Sequence, residues 1–146
     1  MPEVITNIND LNLNGTYTYA DYLLWQFKER VELIRGKIFK MSPAPNVQHQ
    51  KVSLALTRQL DKCFYQSPCQ LFVAPFDVRL VNFKKSSDDQ QVYSVVQPDL
   101  CVICDASKLD EKGAVGAPDL IIEILSPGNS KKEMNIKFDL YQENGV

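Results

Sequence analysis

The sequence has little of what marks a membrane or exported protein. No apolar run approaches the roughly 20 residues of a membrane-spanning helix, and the start, MPEVITNINDLNLNG, lacks the basic and apolar parts of a secretory signal. The 16 lysines and arginines nearly balance the 18 aspartates and glutamates, for a net charge of −2. That balance gives no overall attraction to nucleic acid or membrane, although a local basic patch is enough to bind DNA. We expect a cytoplasmic protein without a membrane partner.

Histidine and cysteine, the usual ligands of transition metals, are also scarce. The chain has one histidine, His49, and four cysteines. Cys101 and Cys104 form a C-x-x-C motif, which is compatible with a zinc or redox site. However, PDLCVICD has the pattern of a strand, on which residues three apart face opposite sides, so these two sulfurs should diverge. We expect four free thiols, with the C-x-x-C cysteines packed as small buried apolar side chains.

The 146 residues fit one domain, and their patterns predict an α/β (α+β) class with a central mixed sheet flanked by helices. Residues 1–17 are a polar N-terminal extension. Thr18 and Asp21 nearly match a helix capping box, and VELI and KIFKM around Arg35–Gly36 predict a hairpin. Apolar spacing and alternation predict the remaining elements: a long helix at 46–65, strands at 71–81, 95–104 and 119–125, a surface connection at 105–118 and a final helix at 130–144.

Three acidic residues interrupt these apolar segments: Glu32 in VELI, Asp99 after VVQP and Glu123 in LIIEIL. A charged group inside a fold is costly unless it is paired or bound to a metal. Each has a structural alternative, since Glu32 would suit a solvated edge, Asp99 a turn at strand entry and Glu123 a half-exposed strand. For Glu123 the functional interpretation is favoured, because Ile121 and Leu125 share its face and are apolar.

The final predicted helix directs a lysine inward. At about 100° per residue, Lys137 and Glu133 fall within the apolar arc, whereas a surface ion pair would lie on the polar one. A buried Glu133–Lys137 pair with only a structural role is the alternative. An inward lysine needs an anion, which Asp99 and Glu123 on neighbouring strands can supply. Two carboxylates that bind Mg²⁺ and a lysine beside developing negative charge are typical of metal-dependent phosphodiester hydrolysis.

Asp99 in QPD and Glu123 in IIEIL resemble the P-D…(D/E)-x-K signature of restriction-endonuclease-like nucleases. The wider arrangement, VELIRGKIFKMSPAP…H…PFDVRL…QPDL…GAPDLIIEILSP…K…Y…GV, is similar to a large bacterial family labelled "putative restriction endonuclease". The match runs from about Thr18 to Val146, and GAPDLIIEILSP is its most distinctive block. The resemblance implies a restriction-endonuclease-like domain over residues 18–146 that cleaves DNA with Mg²⁺ or Mn²⁺.

The resemblance also implies roles for particular residues. Asp99 and Glu123 match the metal ligands of the family. The lysine of E-x-K would stand at position 125, but this chain has Leu125. In its place Lys137, on the following helix, matches the catalytic lysine.

Further positions match the family less specifically. Glu32 and His49 correspond to residues that line the site, where His49 would shuttle a proton or bind phosphate. From the residues alone, a single helix histidine is more often structural or solvated. Asp77, in PFDVRL, is expected near the site, and the roles of Asp77 and Glu133 stay open.

The resemblance leaves two further expectations. The family continues beyond Gly145–Val146 into another strand, so we expect this chain to lack its last core strand. An open sheet edge then predicts lower stability, or a homodimer in which a second copy completes the edge. The alternative function is a catalytically inactive nuclease fold that binds or assembles. DNA contacts are weakly marked, because Lys84–Lys85 and Lys131–Lys132 can contact phosphates nonspecifically but are more typical of solvated segments.

Overall fold

The computed structural model of the protein describes residues 3–41, 46–81 and 88–146. Within them the helices are α1 (Tyr19–Tyr22), α2 (Val47–Phe64) and α3 (Lys131–Glu143). The strands are β1 (Val31–Ile34), β2 (Lys37–Lys40), β3 (Gln70–Val73), β4 (Asp77–Arg79), β5 (Val95–Val96), β6 (Leu100–Ile103), β7 (Leu109–Asp110), β8 (Gly113–Val115) and β9 (Leu120–Ile122). None of the helices in these ranges has both the length and the apolar character needed to cross a membrane.

The strands form two sheets. Six of them pair in the order β2-β1-β5-β4-β8-β7. This sheet is mixed, because β4 and β8 are parallel while every other neighbouring pair in it is antiparallel. β3, β6 and β9 form a second, antiparallel sheet. The predicted α+β class with a mixed sheet and flanking helices is confirmed.

Prolines divide two of the predicted strands. Pro75 separates β3 from β4, and Pro98 separates β5 from β6. Because proline has no N–H to donate to a ladder, the chain leaves the small sheet or the large sheet at these points and enters the other one. The strand predicted at 119–125 is shorter than expected and ends at Ile122.

The segment 105–118, predicted as a surface connection, also contains the β7–β8 hairpin. The prediction missed these two strands. β8 approaches β4 so closely that a Cβ on Gly113 would lie 2.2 Å from the backbone oxygen of Asp77. Only glycine fits this parallel pairing, and its φ of +139° is also unfavourable for other residues. The polar composition of the segment gives no sign of β8, because this strand is defined by its pairing with β4, which is distant in the sequence.

Local turn signals, by contrast, were read correctly. Both hydrogen bonds of the capping box between Thr18 and Asp21 are present. In the β1–β2 hairpin, Arg35 (φ 50°) and Gly36 (φ 81°) both have positive φ, as the two-residue turn that matches the twist of the strands requires. Gly145 (φ 81°) follows α3 in the left-handed conformation typical of a helix C-terminus.

A buried cluster joins the two sheets to α3. It includes Ile34 and Val78 from the large sheet, Cys101 and Ile103 from the small sheet, and Leu140 from α3. A second cluster, built on Tyr19, Leu33, Val92 and Val95, packs α1 against the large sheet.

The long helix α2 packs less closely. The apolar spacing predicted its bounds well, but none of its residues is fully buried, and Val47 and Leu54 are 71% and 52% exposed. One side of α2 is therefore open.

The expectation of four free thiols is wrong for two of the cysteines. Cys69 and Cys104 form a disulfide, because the β3–β6 register that pairs Gln70 with Ile103 places them opposite one another. Cys101 is free and buried, and Cys63 is free and exposed, so the burial predicted for the C-x-x-C holds for its first cysteine. With Cys104 in the disulfide, the C-x-x-C does not offer two thiols to a zinc ion.

Candidate functional site

Lys137 lies on the inner side of α3, where the helical wheel put it. The residue is 8% exposed. Its Nζ lies 3.1 Å from both carboxylate oxygens of Glu32 and 2.8 Å from Oε1 of Glu123. The lysine thus pairs with carboxylates from the two sheets and not with Glu133, which is exposed. The alternative of a buried Glu133–Lys137 pair is wrong.

Glu32 occupies the interior of the large sheet. β1 is flanked by β2 and β5, and Glu32 is only 4% exposed. Besides the bonds from Lys137, its Oε2 accepts a 2.7 Å hydrogen bond from the backbone N–H of Gln97. The alternative that placed Glu32 on a solvated edge is wrong, because the hairpin partner β2 and the distant strand β5 cover both sides of β1.

Glu123 follows β9 directly, and its side chain is 17% exposed. Its Oε1 accepts a 2.5 Å hydrogen bond from the hydroxyl of Tyr141. Tyr141 lies four residues after Lys137, so the two side chains share a face of α3 and reach the same carboxylate. Tyr141 is a site residue that no sequence pattern above singles out, although its spacing from Lys137 is a signal that could identify it.

The electrostatics of this cluster follow from burial and close charges. Burial raises the pKa of Glu123, and the Lys137 ammonium and the Tyr141 hydroxyl offset this only in part. Burial alone would lower the pKa of Lys137, but the charges of Glu32 and Glu123 outweigh it and raise that pKa. Burial and the Glu123 charge raise the pKa of Tyr141, so its hydroxyl stays a donor. Lys137 is therefore a permanent cation at neutral pH.

Asp99, between β5 and β6, has His49 as its neighbour. The Nε2 of His49 lies 3.2 Å from Oδ1 of Asp99, while Oδ2 of Asp99 accepts a 2.7 Å hydrogen bond from the backbone N–H of Ile124. This second bond holds Asp99 beside the segment that carries Glu123. The Nδ1 of His49 is buried without a hydrogen-bond partner among the described residues.

All five predicted site residues line one open cleft of about 700 Å³, with α2 and α3 on its walls. They are Glu32, His49, Asp99, Glu123 and Lys137. Glu133 lies at the same cleft, on its exposed part. The structure therefore brings together residues that are separated by up to about a hundred positions in the chain.

Asp77 lies behind the cleft and does not line it. Its Oδ1 accepts hydrogen bonds from the hydroxyl of Tyr22 (3.2 Å) and from the side-chain amide of Gln97 (3.0 Å). Gln97 in turn donates its backbone N–H to Glu32. Asp77 thus supports Glu32 through Gln97, a residue that the sequence analysis did not consider.

The donor chemistry of the cleft suits a hard divalent cation. Asp99 and Glu123 offer carboxylate oxygens, which Mg²⁺ and Mn²⁺ prefer. The Lys137 ammonium fills the space between Glu32 and Glu123, and three or more metal-binding side chains converge nowhere in the described ranges. These residues fit an ion held by two carboxylates and completed by water, which is usual for Mg²⁺, and do not fit a closed protein cage.

Comparison with known proteins agrees with this fold. A family model described as "Uma2: Putative restriction endonuclease" matches residues 19–146. The chain belongs to the Uma2 family. The family expected from the sequence is thereby confirmed.

Individual relatives are distant. The uncharacterized protein slr1290 of Synechocystis sp. is 25% identical over 126 residues, which are 85% of this chain and 61% of that protein. The chain thus spans less than two thirds of the length of this relative. A crystal structure of a putative nuclease belonging to DUF820, from Anabaena variabilis, is 22% identical with a TM-score of 0.63, and the match covers 88% of this chain and 69% of that one. This likeness shows that the two chains share a fold.

Proposed function

We propose that the protein is a Mg²⁺- or Mn²⁺-dependent endonuclease that hydrolyses phosphodiester bonds in DNA. The observation that carries the proposal is the grouping of three carboxylates, an imidazole and a buried ammonium at one open cleft, in a chain of the Uma2 family. Hydrolysis of a phosphodiester needs positive charge where negative charge develops, and a means of activating water.

Asp99 and Glu123 are the residues that would hold the ion. When bound, the ion would lower the pKa of water and neutralise charge on the phosphate. His49 orients Asp99 through Nε2. Its Nδ1, which has no hydrogen-bond partner in the described ranges, is the atom left to take up a proton. Tyr141 fixes the orientation of Glu123 through its hydroxyl.

Lys137 supplies the cation that the family signature places two residues after the glutamate. Leu125 stands at that position and is 65% exposed. Its side chain carries no charge, so it cannot take the place of the lysine. Glu32 holds the Lys137 ammonium in place with both carboxylate oxygens. Because the pKa of Lys137 is raised, this group stays protonated beside the phosphate throughout the neutral range.

The variant Glu123→Gln tests the proposal, since it removes one charge and keeps the shape of the side chain. Cleavage of supercoiled plasmid DNA with Mg²⁺ or Mn²⁺ is expected to fall by at least about 100-fold, as when one preorganised group is lost from an active site. Glu133→Gln is the matched control, because it removes the same charge at the same cleft without touching Lys137. Equal cleavage by wild type and Glu123→Gln would overturn the proposal and assign the activity to a contaminant or another site.

A second candidate function is a nuclease fold that binds or assembles without cleaving. Two observations favour it: Leu125 replaces the in-line lysine, and the Lys137 ammonium already bridges Glu32 and Glu123. Calorimetric titration with Mg²⁺ and Mn²⁺ separates the two functions. Absence of binding at millimolar metal would favour the inactive fold, whereas binding that Asp99→Asn abolishes would favour the nuclease.

The edge of the small sheet supports a further proposal, that the protein forms a homodimer. β9 has a strand neighbour on one side only within the described ranges, and such an edge can pair with a strand of another chain. Light scattering is expected to give twice the mass of the chain. A monomer at micromolar concentration with one cooperative melting transition would count against this proposal.

A further inference from the structure

The open side of α2 carries a row of cations and apolar side chains. At about 100° per residue, six residues fall within an arc of about 80°, and Tyr65 is included because it caps the helix with helical backbone angles. All six are exposed. We call this row the α2 stripe, and its members are Val47, Lys51, Leu54, Arg58, Lys62 and Tyr65.

Within residues 3–41, 46–81 and 88–146, no acidic side chain pairs with the cations of the stripe. Lys51, Arg58 and Lys62 form no hydrogen bond or ion pair in the described part of the chain, whereas Arg79 and Lys137 pair with carboxylates. Asp61 borders the stripe but lies outside its arc. In a chain with a net charge of −2, this is a local concentration of positive charge, and such a surface attracts a polyanion.

The stripe is continuous with the candidate site. Val47, Lys51 and Leu54 line the cleft, and Arg58 and Lys62 continue the row beyond it. From Lys51 to Lys62 the helix rises about 16 Å at 1.5 Å per residue. One DNA strand advances about 3.4 Å per phosphate, so this length matches about five nucleotides.

The apolar members of the stripe indicate a partner that has apolar groups as well as negative charge. Val47, Leu54 and Tyr65 are 71%, 52% and 75% exposed, which is unfavourable for a surface that only solvent meets. Sugars and unstacked bases present apolar faces between phosphates, and an aromatic ring can stack on a base. An anionic membrane would also suit cations beside apolar groups, but the stripe enters a concave cleft that holds Asp99 and Glu123, and a flat anionic surface cannot follow it there.

We propose that the α2 stripe binds the backbone of the DNA strand that leaves the cleft. Lys51, Arg58 and Lys62 contact its phosphates, and the apolar side chains contact sugars or unstacked bases. This inference rests on the proposed function, because it takes the polyanion to be DNA substrate.

The test compares two triple variants that remove equal charge from exposed positions. The stripe variant is Lys51→Gln/Arg58→Gln/Lys62→Gln, and the matched control is Lys28→Gln/Arg35→Gln/Lys112→Gln, three exposed positions outside the cleft. Binding of a fluorescent duplex is measured without divalent metal from 50 to 200 mM salt. The slope of log K against log salt is negative, and its magnitude is expected to decrease by about 2.7 in the stripe variant, since each of three phosphate contacts on duplex DNA contributes about 0.9. The slope should stay near wild type in the control.

Equal slopes in the two variants, or no DNA binding by the wild type, would overturn the inference. Loss of binding to phosphatidylserine vesicles in the stripe variant, with an unchanged DNA slope, would overturn it in favour of a membrane surface. Failure of the proposed function is distinguishable, because a wild type that cleaves no DNA can still show the slope difference. Circular dichroism checks that both variants keep the fold.

Discussion

Lys137→Met is expected to lower the free energy of unfolding by about 3–5 kcal/mol at pH 7, the usual loss when one partner of a buried ion pair is removed. Glu32 and Glu123 would remain buried without the ammonium that lies between them. Methionine keeps much of the length and apolar volume of the lysine stem, so the loss reports on charge more than on packing. Urea unfolding monitored by circular dichroism measures it.

The loss should shrink as the pH falls. Burial already raises the pKa of Glu123, and removal of the ammonium raises it further, so the folded variant takes up a proton that the unfolded chain does not. Stability then increases from pH 7 toward pH 5, by up to about 1.4 kcal/mol per pH unit for each proton. In the wild type, the raised pKa of Lys137 means that its contribution is lost only above the ordinary lysine value of 10.5.

Two further variants make this prediction sharp. Lys132→Met, an exposed position in the same helix, should stay within about 0.5 kcal/mol of wild type. Glu32→Gln/Lys137→Met should recover part of the loss, because it removes one of the two facing charges. A loss that does not depend on pH, or an equal loss in Lys132→Met, would contradict the buried cluster. If Lys137→Met does not fold at pH 7, the same comparison at pH 5 replaces it.

Leu140→Ala is expected to lower the free energy of unfolding by about 2–5 kcal/mol, the range for a leucine removed from a core. Leu140 is 2% exposed and belongs to the cluster that joins both sheets to α3. It lies three residues after Lys137 on the same face of α3, so the variant should also loosen the lysine. Chemical denaturation gives the stability, and plasmid cleavage reports on the site.

Phe138→Ala is the matched control for this prediction. Phe138 lies in the same helix and is larger than Leu140, but it is 61% exposed, so we expect a change within about 0.5 kcal/mol. A larger loss for Phe138→Ala than for Leu140→Ala would mean that α3 packs through its other face. Lys137 could not then occupy its place between the two carboxylates.

Phe138 also shows where sequence reasoning reaches its limit. At about 100° per residue, Phe138 and Lys137 both lie in the arc of the final helix that holds its apolar residues. Periodicity alone does not say which part of that arc meets the sheets. The packing is centred on Leu140 and Lys137, because Leu140 belongs to the apolar cluster that joins the two sheets to α3 and Lys137 pairs with Glu32 and Glu123. Caps, the hairpin and helix bounds were predictable because they depend on neighbours in the chain.

Features defined by distant pairing were harder to predict. The division into two sheets depends on which strands meet after Pro75 and Pro98, and the Cys69–Cys104 bond depends on the register between β3 and β6. In the site, chemistry and family resemblance indicated the five residues at the cleft. Gln97 and Tyr141 were missed because their roles are hydrogen bonds to residues that are distant in the sequence.

The position of Lys137 has a consequence for how this fold can change over time. Its ammonium joins a carboxylate of the large sheet to one that follows the last strand of the small sheet, so it holds the two layers together at their boundary. A descendant protein that keeps this lysine is therefore not shown to be an active enzyme, because the role of Lys137 in holding the two sheets together is enough to preserve it. Descendants that lose cleavage should either keep Glu32, Glu123 and Lys137 or replace all three together with well-packed apolar residues. Replacing only one of them would leave a buried charge without its partner.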